Sequence, residues 1–225
     1  VLSALSAYRR VLVVAAVPAE REAVLAATGG APQLDVLAGG VGPAAAAAAT
    51  ATALVTAAER AHPYDLVVST GIGGGFAANG VQVGDTVLAD RIVAADLGAR
   101  TPDGFASVAE LGFGTAEHTP PPRPVRAAAE ATGARTGAVL SVSTVTGTRE
   151  RAEELLARHP DAAAEAMEGF GVAQAAAAHA AARGTALPVL ELRTVSNAVG
   201  PRDRAAWRIP DALAALTAAF GKLVT

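Results

Sequence analysis

Short β-branched runs alternate with alanine-rich stretches along this chain, and that alternation limits it to very few folds. The runs predict strands over Val11–Ala16, Leu34–Ala38, Leu66–Ser69, Thr86–Ala89, Ala138–Ser143 and Val189–Val195. Between them the composition predicts helices over Ala19–Thr28, Pro43–Arg60, Pro124–Thr132, Arg149–Arg158, Glu168–Arg183 and Pro210–Leu223. Pro18, Pro43, Pro124 and Pro210 stand at or near first helical turns, where a missing N–H is harmless. Strands alternating with helices predict an α/β fold around a buried, largely parallel sheet. At 225 residues the chain is read as one domain, 1–225. Apolar residues make up 52% but aromatics only 4%, so the core must be built from Ala, Val and Leu.

Composition also excludes function classes. A net charge of −3 with both signs interspersed leaves no basic stripe for nucleic acid. Without cysteine there is no disulfide framework and no thiolate chemistry. No apolar run reaches the roughly 18 residues of a membrane span. The Val1–Arg10 start has neither a basic flank nor a clear cleavage site, so a cytoplasmic protein that does not engage the membrane is expected. His62, His118, His159 and His179 have no metal-ligand spacing, so no zinc is expected.

The pattern fails between residues 96 and 123. This glycine- and proline-rich stretch, with Phe105 and Phe113, reads as a functional loop or lid. Two glycine clusters follow strands. Gly40, Gly42 and Ala45 fit the weaker dinucleotide fingerprint, but the next strand ends in Ser69-Thr70-Gly71 without the acid that would hold a ribose. The second cluster, Thr70-Gly-Ile-Gly-Gly-Gly-Phe76, lets a ligand lie against the backbone or is simply a tight turn.

Asn197 follows the last predicted strand, at the carboxyl end where open α/β sheets bind ligands. A neutral amide there offers donors to an edge crowded with acceptors, such as N7 and O6 of a 6-oxopurine. Taken alone, it also reads as an asparagine in a turn.

Five segments in register resemble the nucleoside phosphorylase and nucleosidase superfamily. They are Ala16-Val-Pro-Ala-Glu20, Gly39-Gly-Val-Gly42, Ser69-Thr-Gly-Ile-Gly-Gly-Gly75 with Val83-Gly-Asp85, Ala166-Met-Glu-Gly169, and Ser196-Asn197. Within the superfamily the sequence is most similar to the futalosine hydrolase family. Ala16-Val-Pro-Ala-Glu-Arg21, Ser196-Asn-Ala-Val-Gly-Pro-Arg-Asp203 and the insertion from Ala95 to Phe105 carry that likeness. The adenine-specific nucleosidases have aspartate where this chain has Asn197.

The resemblance implies a three-layer αβα fold with a mixed, largely parallel central sheet. It implies a cofactor-free nucleosidase that takes hypoxanthine from futalosine in menaquinone biosynthesis, and a homodimer or larger oligomer in which a neighbour's loop closes each pocket. Cleaving an N-ribosidic bond passes through an oxocarbenium-like state. Glu168 is then the ribose ligand, with Met167 packed on the sugar, although alone it reads as an acid in a helix's first turn. Asn197 meets the leaving base and Ser196 orients its amide. Gly71, Ile72, Gly73 and Val145 line the substrate. Glu20 activates water, with Glu22 as a weaker rival, and its charge at the first turn disfavours phosphate although Arg21 is adjacent. Arg202 and Asp203 brace the Asn197 loop. Phe105 and Phe113 are candidates to stack on the substrate's aromatic tail, and Arg100, Arg202 or Arg204 to meet its carboxylate. The rival readings are a purine nucleoside phosphorylase, an adenine-preferring nucleosidase, and a nucleoside-binding module without turnover.

Overall fold

The computed structural model describes residues 4–102 and 104–224. The strands are β1 (Val11–Ala15), β2 (Leu34–Ala38), β3 (Leu66–Gly75), β4 (Thr86–Ala94), β5 (Gly98–Thr101), β6 (Gly104–Ser107), β7 (Glu117–His118), β8 (Arg135–Ser141), β9 (Ala162–Ala166) and β10 (Val189–Ala198). The helices are α1 (Pro18–Thr28), α2 (Pro43–Glu59), α3 (Pro122–Thr132), α4 (Arg149–Arg158), α5 (Gly169–Arg183) and α6 (Ile209–Val224).

The central sheet is mixed and mostly parallel, as expected. β2, β1, β3 and β10 pair in parallel in that order, and β4–β8–β9 form a second parallel run. Antiparallel pairings of β10 with β4 and of β3 with β9 join the two runs. β3, β10, β4, β8 and β9 thereby close into a ring, with β1 and β2 extending from it.

Alternating side chains of β1 and β3 enter different apolar clusters on the two faces of the sheet. Val11, Val13, Leu66 and Val68 pack with Val24 of α1, Val125 of α3, and Leu216 and Phe220 of α6. Leu12, Val14 and Val67, one residue out of phase, pack with Ala46 and Leu54 of α2 and Val172 and Ala176 of α5. Helices therefore cover both faces, and near-continuous apolar strands follow from that double burial.

Several boundaries differ from the sequence reading. β3 does not stop at Ser69; it runs through the glycine cluster to Gly75 because β10 and β9 pair with those glycines. β4 continues to Ala94, and Ala162–Ala166 is a strand. The 96–123 stretch is not irregular throughout. It holds the β5–β6 hairpin, β7 against β4, and the first turn of α3. Asp103 and residues 1–3 of the predicted Val1–Arg10 start lie outside the described residues. Among the described residues no helix is long and apolar enough to cross a membrane, and no group of three or more acidic or histidine side chains is arranged to hold a metal.

Candidate active site

The candidate residues gather where β1, β3, β9 and β10 end. Glu20 sits in the first turn of α1 and is only 4% exposed. Its Oε2 accepts from the backbone N–H groups of Ala16 (2.9 Å) and Val17 (3.2 Å), reaching back over the helix start. Its Oε1 accepts from the N–H of Ile72 at 2.9 Å. Three amides from two segments therefore fix one carboxylate.

Gly71 makes that position possible. Its φ is +148°, and a Cβ there would lie 2.5 Å from Glu20 Oε1 and 3.0 Å from Arg193 Nη1. The Gly71→Ala variant is expected to fold and to lose about tenfold or more in turnover, because the methyl displaces the carboxylate and misplacing a reacting group is costly. Circular dichroism alongside a base-release assay checks this; full activity would show that Glu20 need not occupy its observed position.

Glu168 is the N-terminal cap of α5, one residue before the helix, rather than a member of its first turn. It is buried, and its side chain does not cap its own helix. Oε1 accepts from the N–H of Gly42 at 3.1 Å, and Oε2 accepts from Arg193 Nη1 at 3.1 Å and, weakly, from the Met167 N–H at 3.4 Å. Met167 is half-buried beside it.

Arg193, on β10, is the largest fully buried side chain among the described residues. Its Nε donates to Glu191 Oε1 (2.9 Å), Nη1 to Glu168 and Nη2 to Ser69 Oγ (3.0 Å). Burial works against its charge, but Glu191, Glu168 and Glu20 outweigh burial and hold its pKa above the ordinary arginine value. For Glu191 burial wins over the pull of Arg193, so its carboxyl lies above the usual carboxylate range. Among the described residues Glu191 Oε2 has no hydrogen-bond partner, and the position of a Cβ on Gly169 would fall only 2.1 Å from it. Besides Glu191, both Glu20 and Glu168 act on this single guanidinium, which leaves an excess of negative charge beside the pocket. That field suits a cation developing on a sugar.

Asn197 lies within β10, not after it. The register shifts between Val195 and Asn197, so Val195 pairs with Gly73 and Asn197 with Gly74. Such a bulge re-aims the following side chain. Asn197 Nδ2 lies 3.3 Å from where a Cβ on Gly74 would be, and Val199 Cγ2 lies closer still, at 2.9 Å. Ser196 Oγ is 2.8 Å from Asn197 Oδ1 and 3.2 Å from the carbonyl of Gly73. Asn197 Nδ2 donates to the Ala198 carbonyl at 3.0 Å and keeps its second N–H.

Val145, 40% exposed, stands on the segment between β8 and α4. The Arg202 N–H donates to the neighbouring Gly147 carbonyl, tying this segment to the loop after Asn197. Asp203 caps the short turn that follows by accepting from the Ala205 N–H. Glu20, Gly71, Ile72, Glu168 and Met167 thus form one connected cluster, and Gly73 on β3 with Ser196 and Asn197 on the adjacent β10 continue it.

The residues considered for the substrate tail are spread out. Phe105 stacks against the Arg158 guanidinium (4.3 Å), Phe113 is 81% exposed, Arg100 faces Glu154 and Arg202 lies over Trp207. Arg193 and Glu191 were absent from the sequence reading. The signal available for them was Glu-x-Arg inside an apolar strand, two opposite charges on one buried face.

The sequence profile of the "Phosphorylase superfamily" matches residues 9–225. A futalosine hydrolase of Streptomyces coelicolor is 66% identical over 189 residues, covering 84% of this chain and 77% of that protein. One from Acidothermus cellulolyticus is 45% identical, covering 94% and 89%. Among solved structures, the native futalosine hydrolase of Helicobacter pylori superposes with a TM-score of 0.76 at 16% identity, covering 96% of this chain and 97% of that one. A 5′-methylthioadenosine/S-adenosylhomocysteine nucleosidase from Neisseria meningitidis, in complex with methylthio-immucillin-A, gives 0.75 at 20%, covering 96% and 98%. The two structures establish a shared fold, and the profile and sequence identities establish descent: the chain belongs to the phosphorylase superfamily and, within it, to the futalosine hydrolase family.

Proposed function

We propose that this chain, as one catalytic domain, hydrolyses the N-ribosidic bond of futalosine, releasing hypoxanthine and dehypoxanthine futalosine for menaquinone biosynthesis. The observation that carries this reading is the 66% identity to a protein named for that reaction. The site agrees with it in three ways. Asn197 offers an uncharged donor to N7 or O6 as the leaving base gains electrons. Glu168 accepts from the ribose hydroxyls while Arg193 holds its second oxygen. Glu20, fixed by three amides, takes the proton of the attacking water, and the excess of carboxylates favours the oxocarbenium.

Water is favoured over phosphate on structural grounds. A phosphate at this turn would need the N–H groups of Ala16, Val17 and Ile72, and Glu20 already occupies all three. No cofactor enters the scheme. A cytoplasmic setting and a homodimer or larger assembly belong to the same proposal. Phe113, Leu111 and Leu97, exposed on one stretch, offer a partner an apolar surface.

Incubation with futalosine, with and without phosphate, tests the reading. Free hypoxanthine and an unphosphorylated ribosyl product at equal rates in both are expected; a ribose 1-phosphate product would replace hydrolysis by phosphorolysis. Asn197→Asp is expected to lower activity on the hypoxanthine nucleoside about ten- to a hundredfold, because a carboxylate facing O6 leaves buried acceptors unpaired. Its adenine counterpart should lose less, and equal losses on both would remove the amide as the selector.

A further inference from the structure

Glu191 is a fully buried carboxylate that takes no part in hydrolysis as proposed. It stands on β10 where the strand pattern calls for an apolar side chain. Val189, two residues earlier on the same face, and Val67, its partner in register on β3, both pack into the apolar cluster of α2 and α5. Further along the same face Glu191 pairs in register with Ser69, and Arg193 with Gly71. An acid, a hydroxyl, a guanidinium and a bare glycine therefore interrupt a core that hydrocarbon would otherwise continue.

Stability does not call for such an interruption. Desolvating two charges largely cancels their attraction, and packed hydrocarbon of similar volume serves a fold as well or better. What Glu191 supplies is geometry. A guanidinium is a rigid planar fork on a flexible stem. Held at one nitrogen it can swing; held at Nε and Nη2 as well, its plane is fixed. Glu191 Oε1 accepts from Nε at 2.9 Å and Ser69 Oγ accepts from Nη2 at 3.0 Å, which aims Nη1 at Glu168 Oε2, 3.1 Å away.

A second contact reaches the same residue by another route. Gly169 opens α5 directly after Glu168, and a Cβ on it would overlap both carboxylate oxygens of Glu191. Glu191 thus bears on Glu168 through Arg193 and through the neighbouring α-carbon. We infer that Glu191 is a positioning residue for sugar recognition: by fixing Arg193 at Nε and seating against Gly169, it sets where Glu168 presents its oxygens to the ribose hydroxyls. This rests on the futalosine reading and deepens it.

Futalosine and its 2′-deoxy derivative test it, through the ratio of their kcat/KM values. Comparing that ratio between variants cancels the unequal intrinsic lability of the two bonds. Glu191→Leu removes the anchor and suits the apolar surroundings, while Arg193 keeps Glu168 as its counter-charge. The preference for the 2′-hydroxyl should fall at least about tenfold. Glu191→Gln still accepts from Nε through its amide oxygen and should keep most of the preference. Gly169→Ala leaves every charge in place but displaces the carboxylate, so it should lower the preference even if the leucine variant does not fold. A folded Glu191→Leu or Gly169→Ala variant with the wild-type ratio, or a Glu191→Gln variant that loses as much as Glu191→Leu, would reduce Glu191 to a core residue and overturn the inference, while the futalosine reading stands. If wild type releases no hypoxanthine from futalosine, that reading fails and the inference falls with it.

Discussion

Glu20→Gln is expected to reduce hydrolysis by about 10²- to 10⁴-fold, the usual contribution of a positioned general base, while substrate binding changes little. The size follows from how the carboxylate is held. Both oxygens are fixed by the N–H groups of Ala16, Val17 and Ile72, and the carbon sits against Gly71. Glutamine fits the same space but cannot take a proton from water. It also has one acceptor oxygen where the carboxylate has two, so at least one buried N–H loses its partner at about 1–3 kcal/mol. Typical domains have about 5–15 kcal/mol of stability, so the variant remains folded. Single-turnover release of hypoxanthine, calorimetric binding of intact substrate and the melting temperature separate the effects. Lost turnover with retained affinity is the expected pattern. Near wild-type turnover would take Glu20 out of the mechanism.

Much of the fold is legible in the residues because local preference and tertiary role agree. The Leu34–Ala38 and Arg149–Arg158 segments form as the pattern predicts, to the residue. Differences arise where pairing overrides propensity. Glycine is a poor strand former, yet Gly71–Gly75 are strand because β10 and β9 flank them. Alanine favours helix, yet Ala162–Ala166 is a strand between β8 and β3. The hairpin from Gly98 to Ser107 carries little alternation and shows only as a break in the pattern.

The site divides similarly. Glu20, Glu168 and Asn197 belong to short motifs that survive in sequence, and the fold brings them to one end of the sheet. Arg193 is hidden because a strand is recognised by its apolar residues, so a charge inside one is read past. Glu191 lies two residues away, but Glu168 is 25 residues upstream and Ser69 is 124, so only the folded sheet shows the guanidinium joining them.

Arg193→Met is expected to be the most destabilising single change at the site. Methionine fills much of the volume without charge, leaving Glu168 and Glu191 buried with no cation between them. Removing one partner of a buried ion pair costs about 3–5 kcal/mol. In a chain of this length each kcal/mol moves Tm by roughly 2–4 °C, so a fall of about 10 °C is expected. The deficit should depend on pH with a definite sign. Without Arg193 the Glu191 pKa rises further above its unfolded value. A group that holds its proton more tightly when folded loses stability as pH rises from the unfolded value to the folded one. The variant should therefore be closer to wild type in mild acid than at neutral pH. Adding Glu191→Gln removes the orphaned charge, so the double variant should recover part of the stability and flatten that pH dependence. Activity should not return with it, because Glu168 Oε2 still lacks the donor that orients it toward the ribose. Melting curves of the two single variants and the double across pH, with kcat and KM measured on each, provide the check. If Arg193→Met were as stable as wild type, or if Glu191→Gln restored turnover, the guanidinium would not be the group that holds these carboxylates in place.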